Sequence, residues 1–122
     1  NTGMLVIEGI EVTGGDPKVT SKVVAFPSPF NPLSGGEMKI SFTISGDNDS
    51  LVGLYIHDTA GRLVWKEVRP AQQLFTDKGF TWDGYTQFNR EITENGVYLI
   101  RVVDETNKKL IGKTKVLIIK RK

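Results

Sequence analysis

Met38-Lys39-Ile40-Ser41-Phe42-Thr43-Ile44 puts an apolar side chain at every second position. Successive side chains of a strand leave opposite faces of a sheet, so this run describes a strand with one face on a core and one in water. An amphipathic helix would space its apolar residues by three and four instead. The period of two recurs outward from this stretch. Val52, Leu54 and Ile56 alternate with Tyr55 and His57; Tyr98, Ile100 and Val102 alternate with Leu99, Arg101 and Val103. Val116 and Ile118 alternate with Lys115, Leu117 and Ile119. Weaker strand signals lie at residues 5–12, 19–26, 63–68 and 79–82.

Turn chemistry separates these runs. It occurs at Gly14-Gly15-Asp16-Pro17, Ser34-Gly35-Gly36, Ser45-Gly46-Asp47-Asn48-Asp49, Asp58-Thr59-Ala60-Gly61, Asp83-Gly84, Glu94-Asn95-Gly96 and Glu105-Thr106-Asn107. Glycine adopts positive φ freely, and Asn or Asp tolerates it. Short strands at such spacing predict an all-β, immunoglobulin-like or fibronectin-III-like β-sandwich of about seven or eight antiparallel strands. No amphipathic helix is expected, and residues 90–94 offer one turn at most. The predicted inward set is Phe30, Ile40, Phe42, Leu54, Ile56, Trp82, Tyr98, Ile100 and Val116. Residues 23–122 are expected to form the sandwich. Residues 1–22 are expected to add an N-terminal strand and linker packed on it.

Composition narrows the function classes. A chain of 122 residues is one domain long and can bury a core without covalent staples. The absence of cysteine excludes structural disulfides and thiolate metal sites. His57 is the single histidine, which excludes a His-rich metal cluster and any two-histidine mechanism. Sixteen Lys and Arg against 14 Asp and Glu give a formal charge of +2, too weak a field to imply nucleic acid. No apolar run approaches the length of a membrane span. No leader is visible at Asn1, so a targeting segment is expected to have been removed or to lie upstream.

Phe26-Pro27-Ser28-Pro29-Phe30-Asn31-Pro32 denies ladder hydrogen bonds, so the chain runs extended and leaves the sheet there, with Phe30 plugging the end of the core. Leu54-Tyr55-Ile56-His57-Asp58-Thr59-Ala60-Gly61-Arg62-Leu63-Val64 reads as a strand, a tight turn closed by Gly61, and a return strand. Gly79-Phe80-Thr81-Trp82-Asp83-Gly84 ends a strand in a turn, where Asp83 accepts backbone amides and Gly84 completes the bend. Asn95-Gly96-Val97-Tyr98-Leu99-Ile100-Arg101-Val102 is a turn followed by a strand with an inward tyrosine.

In this order and spacing, the four features resemble the immunoglobulin-like domain of the flagellar hook-capping protein. They are also similar to C-terminal modules of secreted bacterial proteins, including type IX secretion sorting domains. The resemblance runs from about Val23 to the end of the chain and rests on Pro29, Phe30, Asn31, Pro32, Asp58, Gly61, Trp82, Asp83, Gly84, Gly96 and Tyr98. Three positions depart from the pattern: Ser28 replaces Asn, His57 replaces Tyr, and Asn89 stands where Gly is usual. Asn can adopt the left-handed conformation that Gly supplies, so that turn is expected to survive at Asn89.

The resemblance implies a non-catalytic C-terminal accessory module of a larger secreted or cell-surface bacterial protein. Its roles would be sorting, surface attachment or spacing. Its partners would be the rest of the parent polypeptide upstream, secretion machinery or a surface component, with no nucleic acid and no membrane span. The alternatives are a carbohydrate-binding module and a self-assembly module.

A sugar-binding role would use exposed aromatics, from Trp65, Tyr55, Tyr85 and Phe88, or a platform of Trp82, Tyr85 and Phe88. Two readings stand for Trp65: a solvent-facing contact residue, or a cover for one sheet face. Lys108, Lys109, Lys113, Lys115, Lys120, Arg121 and Lys122 crowd the last fifteen residues. They are either a contact for an acidic surface, carried by Lys113, Lys115, Lys120, Arg121 and Lys122, or a charged edge strand that resists aggregation. Asp47-Asn48-Asp49 lacks the spaced oxygen ligands of a calcium loop and reads as a turn. His57 and Asp58 are adjacent in a strand, so their side chains diverge, and no Ser or Cys occupies a nucleophile motif. Neither enzymatic activity nor a cofactor is expected.

Overall fold

The computed structural model describes residues 15–121; the strand expected at residues 5–12 lies outside them, as does Lys122. The described elements run β1 (Lys18–Val19), β2 (Val24–Phe26), a 3-10 turn (Pro32–Ser34), β3 (Met38–Ser41), β4 (Ile44–Ser45) and β5 (Leu51–His57). They continue with β6 (Leu63–Pro70), α1 (Ala71–Asp77), β7 (Gly79–Trp82), β8 (Gly96–Asp104) and β9 (Lys109–Ile118).

A three-stranded sheet of order β2-β3-β7 packs on a four-stranded sheet of order β6-β5-β8-β9, and β1 pairs with β4 beside them. Every named strand pair is antiparallel. β6 stays beside β5, whereas the fourth strand of an antibody constant domain joins the opposite sheet. The all-β sandwich follows from the alternation. All nine residues of the predicted inward set are buried, the most exposed being Tyr98 at 5%. Trp82 of the smaller sheet meets Tyr98 of the larger one edge to face, with ring centroids 6.0 Å apart. Phe42 and Phe80 pack at 6.1 Å.

The structure corrects three expectations. The first is the missing helix. α1 carries the chain from β6 in one sheet to β7 in the other, burying Ala71 and Leu74 at a spacing of three. Its first amides are satisfied from outside: Ala71 N donates to Ser50 O at 2.8 Å and Gln72 N to Asn48 O at 3.3 Å. Lys78, at φ 57°, ends it.

The second correction concerns residues 19–26, which form two short strands rather than one. At the break one backbone bond remains, from Thr20 N to Thr43 O at 2.9 Å, and hydroxyls supply the others: Thr43 N donates to Ser21 Oγ at 2.8 Å, and the Thr20 and Thr43 hydroxyls share a bond of 2.9 Å. Opposite them, Phe42 N turns to Lys78 O at 3.0 Å, which separates β3 from β4.

The third concerns the loop around Asn89; residues 90–94 stay within the expected limit of one turn, forming none, and Ile92 bridges Tyr85. The left-handed residue of that loop is Arg90, at φ 56°, and not Asn89.

Gly79 is required where α1 meets β7. It sits at φ 137°, and a Cβ there would lie 1.9 Å from Ile40 O. Gly79→Ala is therefore expected to break the β3–β7 ladder and leave little folded protein. Trp82→Ala should lose about 3–5 kcal/mol of stability, the usual cost of emptying so large a buried site. Urea denaturation followed by circular dichroism measures both, and a wild-type midpoint for either would contradict this core.

Candidate functional site

The four sequence features converge on one end of the sandwich. Phe30 leaves the proline-rich passage and pairs in parallel with Ile118. Its amide donates to Leu117 O at 2.8 Å, and Ile119 N donates to Phe30 O at 3.0 Å. Asn31 fastens the end of the chain: its Nδ2 donates to Arg121 O at 2.8 Å, while its Oδ1 accepts from Leu33 N at 3.0 Å and Arg121 N at 3.2 Å. Gly84, at φ 85°, lies under this passage, and a Cβ there would come within 2.8 Å of Pro32 and 3.1 Å of the Phe30 ring.

Asp58 organises the neighbouring turn. Its Oδ1 accepts from Ala60 N at 3.0 Å and Arg62 N at 2.9 Å, and its Oδ2 pairs with Arg62 Nε at 2.9 Å. Gly61 closes that turn at φ 87°. The bond from the Arg62 amide, ahead of the Arg62 side chain, holds the Asp58 carboxyl below its ordinary range. Its stabilising contribution is therefore present above the unfolded carboxylate pKa and lost as pH falls through the lowered folded value. Tyr98 closes the same end by donating its hydroxyl to Glu94 O at 2.8 Å. Burial is the main cause that raises its pKa. Asn95, just before Gly96, accepts from Lys120 N at 2.8 Å. Asp47 caps its own turn, accepting from Asp49 N at 3.1 Å.

The aromatic candidates do not share a plane. Trp82 is buried, and its indole donates to Tyr85 O at 3.0 Å. Trp65 stands opposite Ile56 in register, on the inner side of β6, and is partly buried against the core. Tyr55 stands opposite Lys66, on the other face. The Arg90 guanidinium lies 5.7 Å from the Trp65 ring and 5.4 Å from the Tyr85 ring. Asp83 holds it there through an ion pair of 2.8 Å and also accepts from Tyr85 N at 3.0 Å. Arg90 thus occupies the space between two rings that a sugar would need. Phe88 is the outlier, 71% exposed on the same loop.

The loop carrying these residues also seals β6. Gln87 N donates to Val64 O at 2.8 Å, and the Gln87 side chain bonds both the Lys66 amide, at 3.0 Å, and the Lys66 carbonyl, at 2.9 Å. One glutamine side chain here does the work of a neighbouring strand.

The basic residues divide into two groups. Lys120 pairs with Glu94 at 3.4 Å and Arg121 is held by Asn31, both at the motif end. Lys113 and Lys115 lie on the outer face of the four-stranded sheet, opposite Arg101 and Leu99. Tyr55 on that face donates its hydroxyl to Glu105, and this bond, more than burial, pushes its pKa from 10.0 to about 12. Neither Glu105 nor Arg90 is recognisable as a partner from local sequence, since the contacts Glu105–Tyr55 and Arg90–Trp65 join loops to distant strands. Among the described residues, no group of three or more His, Cys, Asp or Glu side chains could hold a metal ion.

No protein-family model matches the chain, and no curated protein matches it. Its fold is similar to part of a solved structure, the crystal structure of dimeric latent PorU from Porphyromonas gingivalis. The TM-score is 0.62 at 21% sequence identity, over 95% of this chain. The chain spans 10% of the length of that protein, so the likeness is one of fold over a domain-sized part.

A raised Tyr55 pKa stabilises the fold fully below about pH 10, and that contribution is lost as pH rises through about 12. Phenolate absorbance should therefore show Tyr55 ionising late. Glu105→Gln should move that titration step toward ordinary tyrosine. Identical titration curves for the two proteins would contradict the contact.

Proposed function

We propose that this chain is a non-catalytic accessory module of a larger secreted or cell-surface bacterial protein, serving sorting, attachment or spacing. The observation that carries this reading is the fold likeness to a domain-sized part of latent PorU, together with the four features that converge on one end. Those features order the chain's own loops: Asn31, Asp58 and Asp83 direct their polar atoms to neighbouring backbone and arginine side chains. Asp58 is committed to Arg62 and turns away from any role beside His57. The exposed chemistry available to a partner is that of loops and sheet faces.

A reporter protein exported to the periplasm of a type IX-secreting bacterium tests the sorting role. With this chain fused at its C-terminus, the reporter should reach the cell surface; without it, the reporter should stay inside the outer membrane. Trp82→Ala in the fusion should abolish surface display by unfolding the module. Surface accessibility to added protease reads all three cases. Retention of the intact fusion would remove the sorting role.

A further inference from the structure

We infer that Trp65, Tyr85 and Asp83 form a binding site for a guanidinium group, and that an arginine side chain of a partner protein takes it by displacing Arg90. Such a site goes beyond the accessory role proposed above and stands without it.

Two rings and one carboxylate surround a single cation. The Arg90 guanidinium lies 5.7 Å from the Trp65 ring centroid and 5.4 Å from that of Tyr85, and its Nη2 is 2.8 Å from Asp83 Oδ2. At such distances the electron-rich ring faces attract a cation. A guanidinium is planar, stacks on aromatic faces and can give a carboxylate two N–H bonds, whereas an ammonium is a compact point charge that prefers its water. The slot therefore selects arginine over lysine.

The walls of the site are fixed, and the resident side chain is not. Trp65 packs against the core and directs its indole N–H to Glu67 at 3.4 Å. Tyr85 is held on both sides of its own residue: its amide donates to Asp83 Oδ1 at 3.0 Å, and its carbonyl accepts from the Trp82 indole at 3.0 Å. The Arg90 backbone closes a tight loop, with Arg90 N donating to Thr86 O at 3.1 Å and Thr86 N to Glu91 O at 2.7 Å. The Arg90 side chain, however, is 55% exposed, and an ion pair and two ring contacts hold it. Exposed interactions of these kinds are individually weak. Swinging that side chain outward breaks no backbone hydrogen bond and leaves both rings in place. The loop also keeps Arg90 at φ 56°, a backbone conformation that glycine would adopt without strain.

Phe88 argues for a protein as the source of the arginine. It lies two residues from Arg90, is 71% exposed, and joins no aromatic or cation–ring contact among the described residues. Aromatic side chains and arginine are both enriched at protein interfaces. An apolar residue beside the incoming arginine can cover Phe88, a contact that free arginine cannot make.

NMR titration with the dipeptide acetyl-Arg-Leu amide tests this, following the Trp65 indole and Tyr85 amide signals. Arg90→Gly empties the slot and suits the left-handed backbone, so the dipeptide should shift both signals saturably. Wild type should bind roughly tenfold more weakly, because the resident side chain must leave first. Asp83→Asn added to Arg90→Gly keeps an acceptor for Tyr85 N and should weaken binding roughly tenfold. Phe88→Ala should weaken binding to wild type, and the lysine and citrulline dipeptides should bind more weakly than the arginine one. Absence of a saturable shift in wild type overturns the inference, whether or not Arg90→Gly folds. So does citrulline binding as tightly as arginine, or affinity unchanged by Asp83→Asn.

Discussion

The parallel pairing of Phe30 with β9 is the constraint on which the rest of the structure depends. It joins the segment that leaves the smaller sheet to the last strand of the larger one. The prolines on either side remove competing amide donors, so Phe30 supplies the pairing groups in a stretch otherwise poor in them. Asn31 then ties the final backbone to the same point. Gly84 must lack a side chain because Phe30 and Pro32 rest on it. Trp82 and Tyr98 pack directly between the layers at this end. Several short motifs, far apart in the chain, are in effect parts of one closure.

Much of the fold could be read from the alternation because burial in a sandwich is decided residue by residue. Ile40, Leu54 and Ile100 are fully buried, as their period requires. α1 was hidden for the opposite reason. Ala71, Leu74 and Phe75 do have helical spacing, but seven residues give the period too little length to declare itself. The helix exists because the Asn48 and Ser50 carbonyls receive its first amides and the core receives Leu74. That support is tertiary and leaves no local mark. The break between Val19 and Val24 is similar, since it depends on Thr43 facing Thr20 and Ser21 across strands.

The surface chemistry was legible in kind and not in arrangement. The sequence shows lysines crowding the end of the chain, but only register separates Lys113 and Lys115, on a sheet face, from Lys120 and Arg121, at the closure. It likewise takes the register to put Arg101 and Lys66 in the row of Lys113. For the aromatics, neither Trp65 nor Tyr85 signals that Arg90 will lie against it, because Arg90 reaches them only through its left-handed backbone and its pair with Asp83. The likeness to part of PorU at 21% identity fits this division, since architecture persists where side-chain detail does not.

The glutamine that covers β6 has a bearing on how such a module behaves among its own kind. An outermost strand is normally a template onto which another chain can zip. Here Gln87 caps Lys66, and Pro70, further along the rim, carries no amide to offer. Two copies crowded together would find little at those positions to hold, so this part of the rim is a poor seed for clumping.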